Sequence, residues 1–169
     1  MTKFATKDLG DVSLILGMQV SRDRPKGTLD INQGNHVKAS LQRYGVVDGR
    51  SVSTPGTGKR LDLKLGTLLE DGNKQLYQKI VRSLIHLSTC TRWDIAYSVM
   101  QLTRVMSNPK DGHMVAAKRI LRYLKGTSDL CVRYSKAFTL HGYSDVAKTT
   151  IKTILAPFRV TCTCFQEDQ

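Results

Sequence analysis

Residues 83–127 constrain this chain most, because they carry three successive helical patterns with clear punctuation. Ile95, Val99, Leu102 and Met106 fall at i, i+4, i+7 and i+11, one apolar stripe at the helical period. Ser107-Asn108-Pro109 stops that helix, since proline cannot continue it and pushes its predecessor towards extended backbone. The next helix sets Ala117, Ile120, Leu121 and Leu124 on one side. Lys118, Arg122 and Lys125 lie opposite, within about 60° of each other at 100° per residue, with Arg119 at their flank. Gly126 is the expected C-cap. Such a helix can pack on its own domain and still present charge to phosphates. On spacing alone, a solvated face on an ordinary bundle is the commoner reading.

The charge balance supports a polyanionic partner. The 169 residues suffice for one ordinary domain with a core, and 40% hydrophobic with 24% charged residues is a globular composition. The formal net charge is +12, with a pI near 9.8. The excess is concentrated between Lys79 and Lys136, where the acids are Asp94, Asp111 and Asp129. That balance favours nucleic acid through steering and phosphate contacts, although a basic protein can be basic for solubility alone. Cys90, Cys131, Cys162 and Cys164 fit neither a disulfide framework nor a zinc pattern, so the thiols are read as reduced and structural and no metal site is expected. No stretch approaches a membrane span, and Met1-Thr2-Lys3-Phe4 lacks a signal-peptide core. An intracellular chain, cytoplasmic or nuclear, is expected.

In chain order, residues 8–33 read as a β-hairpin. Val12–Leu16 and Met18–Val20 form its first run, residues 22–27 its turn, and Thr28–Ile31 its returning strand. Residues 35–45 read as a short helix with Val37, Leu41 and Tyr44 on one face, Asn35 at its start and Gly45 at its end. Residues 48–75 look like a flexible linker, because five glycines and Pro55 interrupt any period. A helix begins near Leu76 with Tyr77, Ile80, Val81, Leu84 and Leu87 on one face, and His86 at its edge reads as a packing residue. After Gly126, residues 130–134 and 138–143 are strand-like.

Several blocks in order and spacing resemble the copia-type LTR retrotransposon polyproteins. They are Asp8-Leu9-Gly10, Leu16–Val20, Ile31-Asn32-Gln33, Thr54-Pro55, Cys90–Ile95, Ser107-Asn108-Pro109, His113 and Ala116–Thr127. In that family these blocks run from the hairpin that holds the primer end, through the thumb-like end of the reverse transcriptase, to the start of RNase H. This chain departs from the pattern at Trp93, where the family has Pro, and at Met114, where it has Trp. It also has Arg82 in place of Gly and His86 in place of an aromatic residue. A buried arginine at position 82 would cost about 1–4 kcal/mol.

The resemblance implies an α/β (α+β) fold in five parts. These are a primer-grip-like hairpin and short helix over 1–47, a linker over 48–75 and a thumb-like helical bundle over 76–127. The start of an RNase H-like domain follows over 128–145, then a tail over 146–169 without likeness to the family, expected to be disordered. Asp145 matches the first RNase H carboxylate, and the resemblance stops abruptly after it, as a shifted reading frame would make it do. Carboxylates at that place hold Mg²⁺ in the intact enzyme of the family. Polymerase chemistry needs paired aspartates that hold two metals about 3.5–4 Å apart, and no two adjacent Asp residues occur in this sequence. The expectation is therefore a catalytically inactive stretch of polymerase without a cofactor of its own. It would bind RNA or DNA without sequence preference through Lys118, Arg119, Arg122 and Lys125, with Arg104 and Lys79 in support. The rivals are a small interaction protein derived from the element and one piece of an active polyprotein.

Overall fold

The structure is a computed structural model that describes residues 10–58, 60–62 and 66–136, and the strands Thr139–Asp145 and Val160–Gln166. It is a mixed α/β fold. Strands β1 (Leu14–Ile15), β2 (Met18–Asp23), β3 (Thr28–Asn32) and β4 (Val132–Ser135) form one sheet in the order β1-β2-β3-β4. Strand β5 (Thr139–Asp145) pairs antiparallel with β6 (Val160–Gln166), Thr139 opposite Gln166 and Asp145 opposite Val160. The described residues also form four α-helices, α1 (Gly34–Arg43), α2 (Asp71–Cys90), α3 (Ala96–Thr103) and α4 (Asp111–Gly126), with a 3-10 turn over Trp93–Ile95 before α3. The chain divides into two compact units. The first takes the residues up to Ser21 with Ile31–Val132, and the second takes Arg22–Asp30 with the residues from Arg133 onward.

All four helices belong to the first unit, and their apolar stripes meet in one core. Tyr77, Ile80, Val81, Leu84 and Leu87 of α2 are fully buried against Val99 and Leu102 of α3, Ala117, Ile120, Leu121 and Leu124 of α4, and Val37 and Leu41 of α1. Each large aliphatic side chain so buried contributes about 1.5–3 kcal/mol. The Tyr77 hydroxyl donates to the Leu102 carbonyl at 2.9 Å, which satisfies the one polar atom that its burial would strand. Helix α1 ends as its sequence requires: Gly45 takes φ +64°, and the Val46 and Gly45 amides donate back to the carbonyls of Leu41 and Gln42 at 3.0 and 3.3 Å. In the second unit, Arg133 of β4 grips Asp30 of β3 with two hydrogen bonds at 2.7 and 3.0 Å. That contact holds the Asp30 carboxyl below the usual carboxylate range.

Several local expectations need correction. The run from Val12 to Val20 is not one strand, because Leu16 (φ 50°) and Gly17 (φ +80°) make a tight turn that folds β1 onto β2. Helix α1 starts at Gly34 after Gln33, so Asn35 is not its cap. Helix α2 starts at Asp71, five residues before Leu76, because the Lys74 amide already donates to the Glu70 carbonyl at 2.8 Å. Helix α3 ends at Thr103, short of Met106; the amides of Val105 and Met106 turn to carbonyls three residues back and tighten the chain before Pro109. Gly126 lies inside α4 and its role is steric, since a Cβ there would come within 3.1 Å of Ser51 Cβ. Arg82 is exposed, so the cost of a buried arginine does not arise. The tail over 146–169 lies outside the described residues except for β6.

Candidate nucleic-acid interface

The cations of α4 do not form a free row. Lys118 is exposed and has no hydrogen-bond or ion-pair partner among the described residues. Lys125 instead donates its ammonium to the backbone carbonyls of Val47 and of Gly49, the latter at 2.9 Å. Arg119 donates to Thr54 Oγ1 at 2.9 Å, and the Arg122 stem lies against Gly49. Both arginines keep a buried Nε with no partner. The remaining two candidates sit on other elements: Lys79 is exposed on α2, and Arg104 follows α3, where it donates to Gln101 Oε1 at 3.2 Å.

What occupies the cations is the segment read as a linker. It runs from Val46 past Thr54-Pro55 and is fastened again further on. His113, fully buried, accepts from the Lys110 amide through Nδ1 at 3.0 Å and donates from Nε2 to the Asp62 carbonyl at 2.9 Å. Both ring nitrogens are thereby used, in the neutral form. The Leu69 amide donates to Pro109 O at 3.0 Å, and the Asp111 amide to Thr67 O at 3.1 Å. Glycines break helical periodicity here, but they also let the backbone lie close along α4.

Between this segment, α3 and α4 opens a cleft of about 570 Å³. Leu61, Leu102, Val115 and Ile120 give it apolar walls, while Tyr97, Gln101, Arg119 and Arg122 bring polar groups to it. Asp94 is the one acid that lines it among the described residues. Its carboxylate is already engaged by Arg92, at 3.0 and 2.7 Å, and by the Tyr123 hydroxyl at 2.8 Å. Burial pushes the Asp94 carboxyl up, but these bonds more than offset it and leave it below the usual range. Among the described residues, the two cleft arginines therefore face no acid of their own.

Comparison with known proteins places this geometry in a lineage. The chain is 38% identical over 148 residues to the retrovirus-related Pol polyprotein from transposon TNT 1-94 of Nicotiana tabacum. It is 36% identical over 146 residues to those from transposons RE2 and RE1 of Arabidopsis thaliana. The matches cover 84–85% of the chain. The chain belongs to the copia-type retrotransposon Pol polyproteins. It spans about a tenth of the length of these relatives, 10–11%. No family model and no solved structure matches it.

Residues of the copia-type blocks, and one departure from them, tie the helices together. In the Cys90–Ile95 block, Arg92 is 3% exposed and joins Asp94 to the Thr127 carbonyl at 2.8 Å, so it ties the start of α3 to the end of α4. His86 meets Gln33 at 3.0 Å, Gln33 accepts from Thr91 Oγ1 at 2.8 Å, and Cys90 Sγ lies 3.7 Å from the other His86 nitrogen. Beside it His36 bonds Ser83 Oγ at 3.0 Å, with the two imidazoles edge to face at 5.1 Å. Among the described residues no three His, Cys, Asp or Glu side chains could hold a metal ion, and no helix is long and apolar enough to cross a membrane. Sequence reasoning missed the cleft and the exposure of Trp93, Tyr97 and Met100. Their spacing at i, i+4 and i+7 was the available signal, running beside the buried stripe of Ile95, Val99 and Leu102.

Proposed function

We propose that this chain is a nucleic-acid-binding stretch of a copia-type polyprotein, running from the end of the reverse transcriptase into RNase H, that contacts phosphates without reading sequence. The observation that carries the reading is the cationic flank of α4: Lys118 stands unpaired in solvent, and Arg119 and Arg122 bring charge to a cleft with no free acid. The net charge of +12 supplies the long-range attraction. Lys125 contributes by fixing the adjoining loop, while Lys79 and Arg104 extend the field from α2 and the end of α3. On this reading the chain alone does not polymerise, since no two of its aspartates are adjacent, and does not cleave, since Asp145 is the one residue that matches an RNase H carboxylate; Mg²⁺ belongs to the intact enzyme. An intracellular setting accords with the sparse cysteine usage.

The test is the salt dependence of duplex binding. Lys118→Gln should lower the slope of log affinity against log salt by about 0.9, one phosphate contact, with equal loss on every sequence. Because Lys118 is exposed and makes no hydrogen bond or ion pair among the described residues, the melting temperature should not move. An unchanged slope would make that face plain solvated surface. It would favour the second reading, a protein-interaction module, for which the exposed Val12, Leu14, Ile15 and Leu16 of the hairpin are the supporting observation.

A further inference from the structure

The exposed face of α3 and the turn before it carry aromatic rings where a soluble helix would carry charge. Tyr97 is 56% exposed and lines the cleft, and Trp93, 60% exposed, precedes it by one turn. Across the cleft stand Arg119 and Arg122, guanidinium groups in an apolar-walled space whose one acid is taken by Arg92 and Tyr123. Unpaired cations in such a setting favour an anion. The apolar walls and the ring favour a flat apolar body attached to it. Gln101 spends its Oε1 on Arg104 and keeps its amide N–H groups for an acceptor. About 570 Å³ leaves room for a base with its sugar.

A duplex offers only phosphates to such a surface, because its bases are stacked inside. A single strand offers phosphates and ring faces together, and aromatic platforms beside a basic track are how proteins hold it without reading sequence. We propose that this cleft takes an unpaired base of a single-stranded nucleic acid, stacked on Tyr97, with the flanking phosphates on Arg119, Arg122 and Lys118. The assignment rests on the phosphate-binding reading above and narrows it to single strands.

The chain holds its own reporter, since Trp93 is its one tryptophan. The full chain is titrated with an oligothymidylate and, separately, with a duplex of equal length, following Trp93 emission and affinity. Quenching by the single strand is expected. Tyr97→Leu should weaken single-strand binding about tenfold, in line with the stacking of one base, and leave duplex affinity unchanged. Tyr97→Phe, which keeps the ring, should bind like the parent. Equal loss on both forms, no loss on either, or silent Trp93 emission at saturation would overturn the cleft assignment while duplex binding with a normal salt slope stands. Failure to bind either form would overturn the phosphate-binding reading as well.

Discussion

Helix α4 and the hairpin from Val12 to Val20 are both rich in apolar side chains, but the two regions use them in opposite ways. In α4, Ala117, Ile120, Leu121 and Leu124 are all buried. In the hairpin, Val12, Leu14, Ile15 and Leu16 are exposed, Leu16 at 81%. The residue types are alike; the difference is a partner. Helix α4 meets apolar stripes on α1, α2 and α3. Strand β1 is two residues long and closes on β2 through a tight turn, which satisfies backbone groups without covering side chains. Apolar content thus marks where burial is needed, while the neighbours decide whether it is achieved within the chain.

The largest effect should come from cutting the same amount of side chain from each region. Leu121→Ala, at a fully buried position, should lower stability by about 2–5 kcal/mol through lost transfer energy and a cavity. Ile15→Ala in the hairpin should change it by no more than about 0.5 kcal/mol. Chemical denaturation of the two variants decides it. A large loss at Ile15 would mean that the hairpin is covered in the folded chain after all, and the contrast would break.

A smaller effect sharpens the helical side. Beside that core, α1 and α2 also meet through a polar stretch: His36, Ser40 and Ser83 are linked at 3.0 Å, with His86 beside them. Burial lowers the pKa of His36, and the neighbouring His86 and Arg43 lower it further. A histidine with a depressed folded pKa stabilises fully above its unfolded value, about 6.5, and that contribution is lost as pH falls through the folded value. The melting temperature should therefore fall as pH drops below about 6.5, and His36→Gln should flatten the decline. Asp94, whose pKa is also depressed, acts in the same direction in its own window, below about 3.9. A parent curve that is flat from neutral pH down to the carboxylate range would show the seam to be open to water.

The smallest effect concerns the fit of the loop on α4. Gly126→Ala gains up to about 1 kcal/mol of helix propensity but sets a Cβ against Ser51. Alone it should be near neutral. Paired with Ser51→Gly, which removes the obstructing Cβ, it should be less destabilising than the two single changes summed, as a double-mutant cycle in thermal melts would show. Strict additivity would mean that the loop does not press on the helix there.

Some of this was legible in the residues alone. The stripes at Tyr77, Ile80, Val81, Leu84 and Leu87, and at Ala117, Ile120, Leu121 and Leu124, fix both helices and their buried faces, because a side chain's direction repeats every 3.6 residues regardless of what lies beyond. Gly45 as a helix stop and the mixed α/β class were equally readable, and so was the family, through Cys90–Ile95 and Ala116–Thr127. The fate of the cations was not. Lys118, Arg122 and Lys125 share a face in any α-helix, yet Lys118 is free and Lys125 is bound. The carbonyls that bind Lys125 arrive from 76 and 78 residues away, and Arg119 finds Thr54 across 65. The cleft is likewise a product of three separate segments, with Tyr97 opposite Arg119. Local periodicity determines which way a side chain points; only the returning chain determines what it meets.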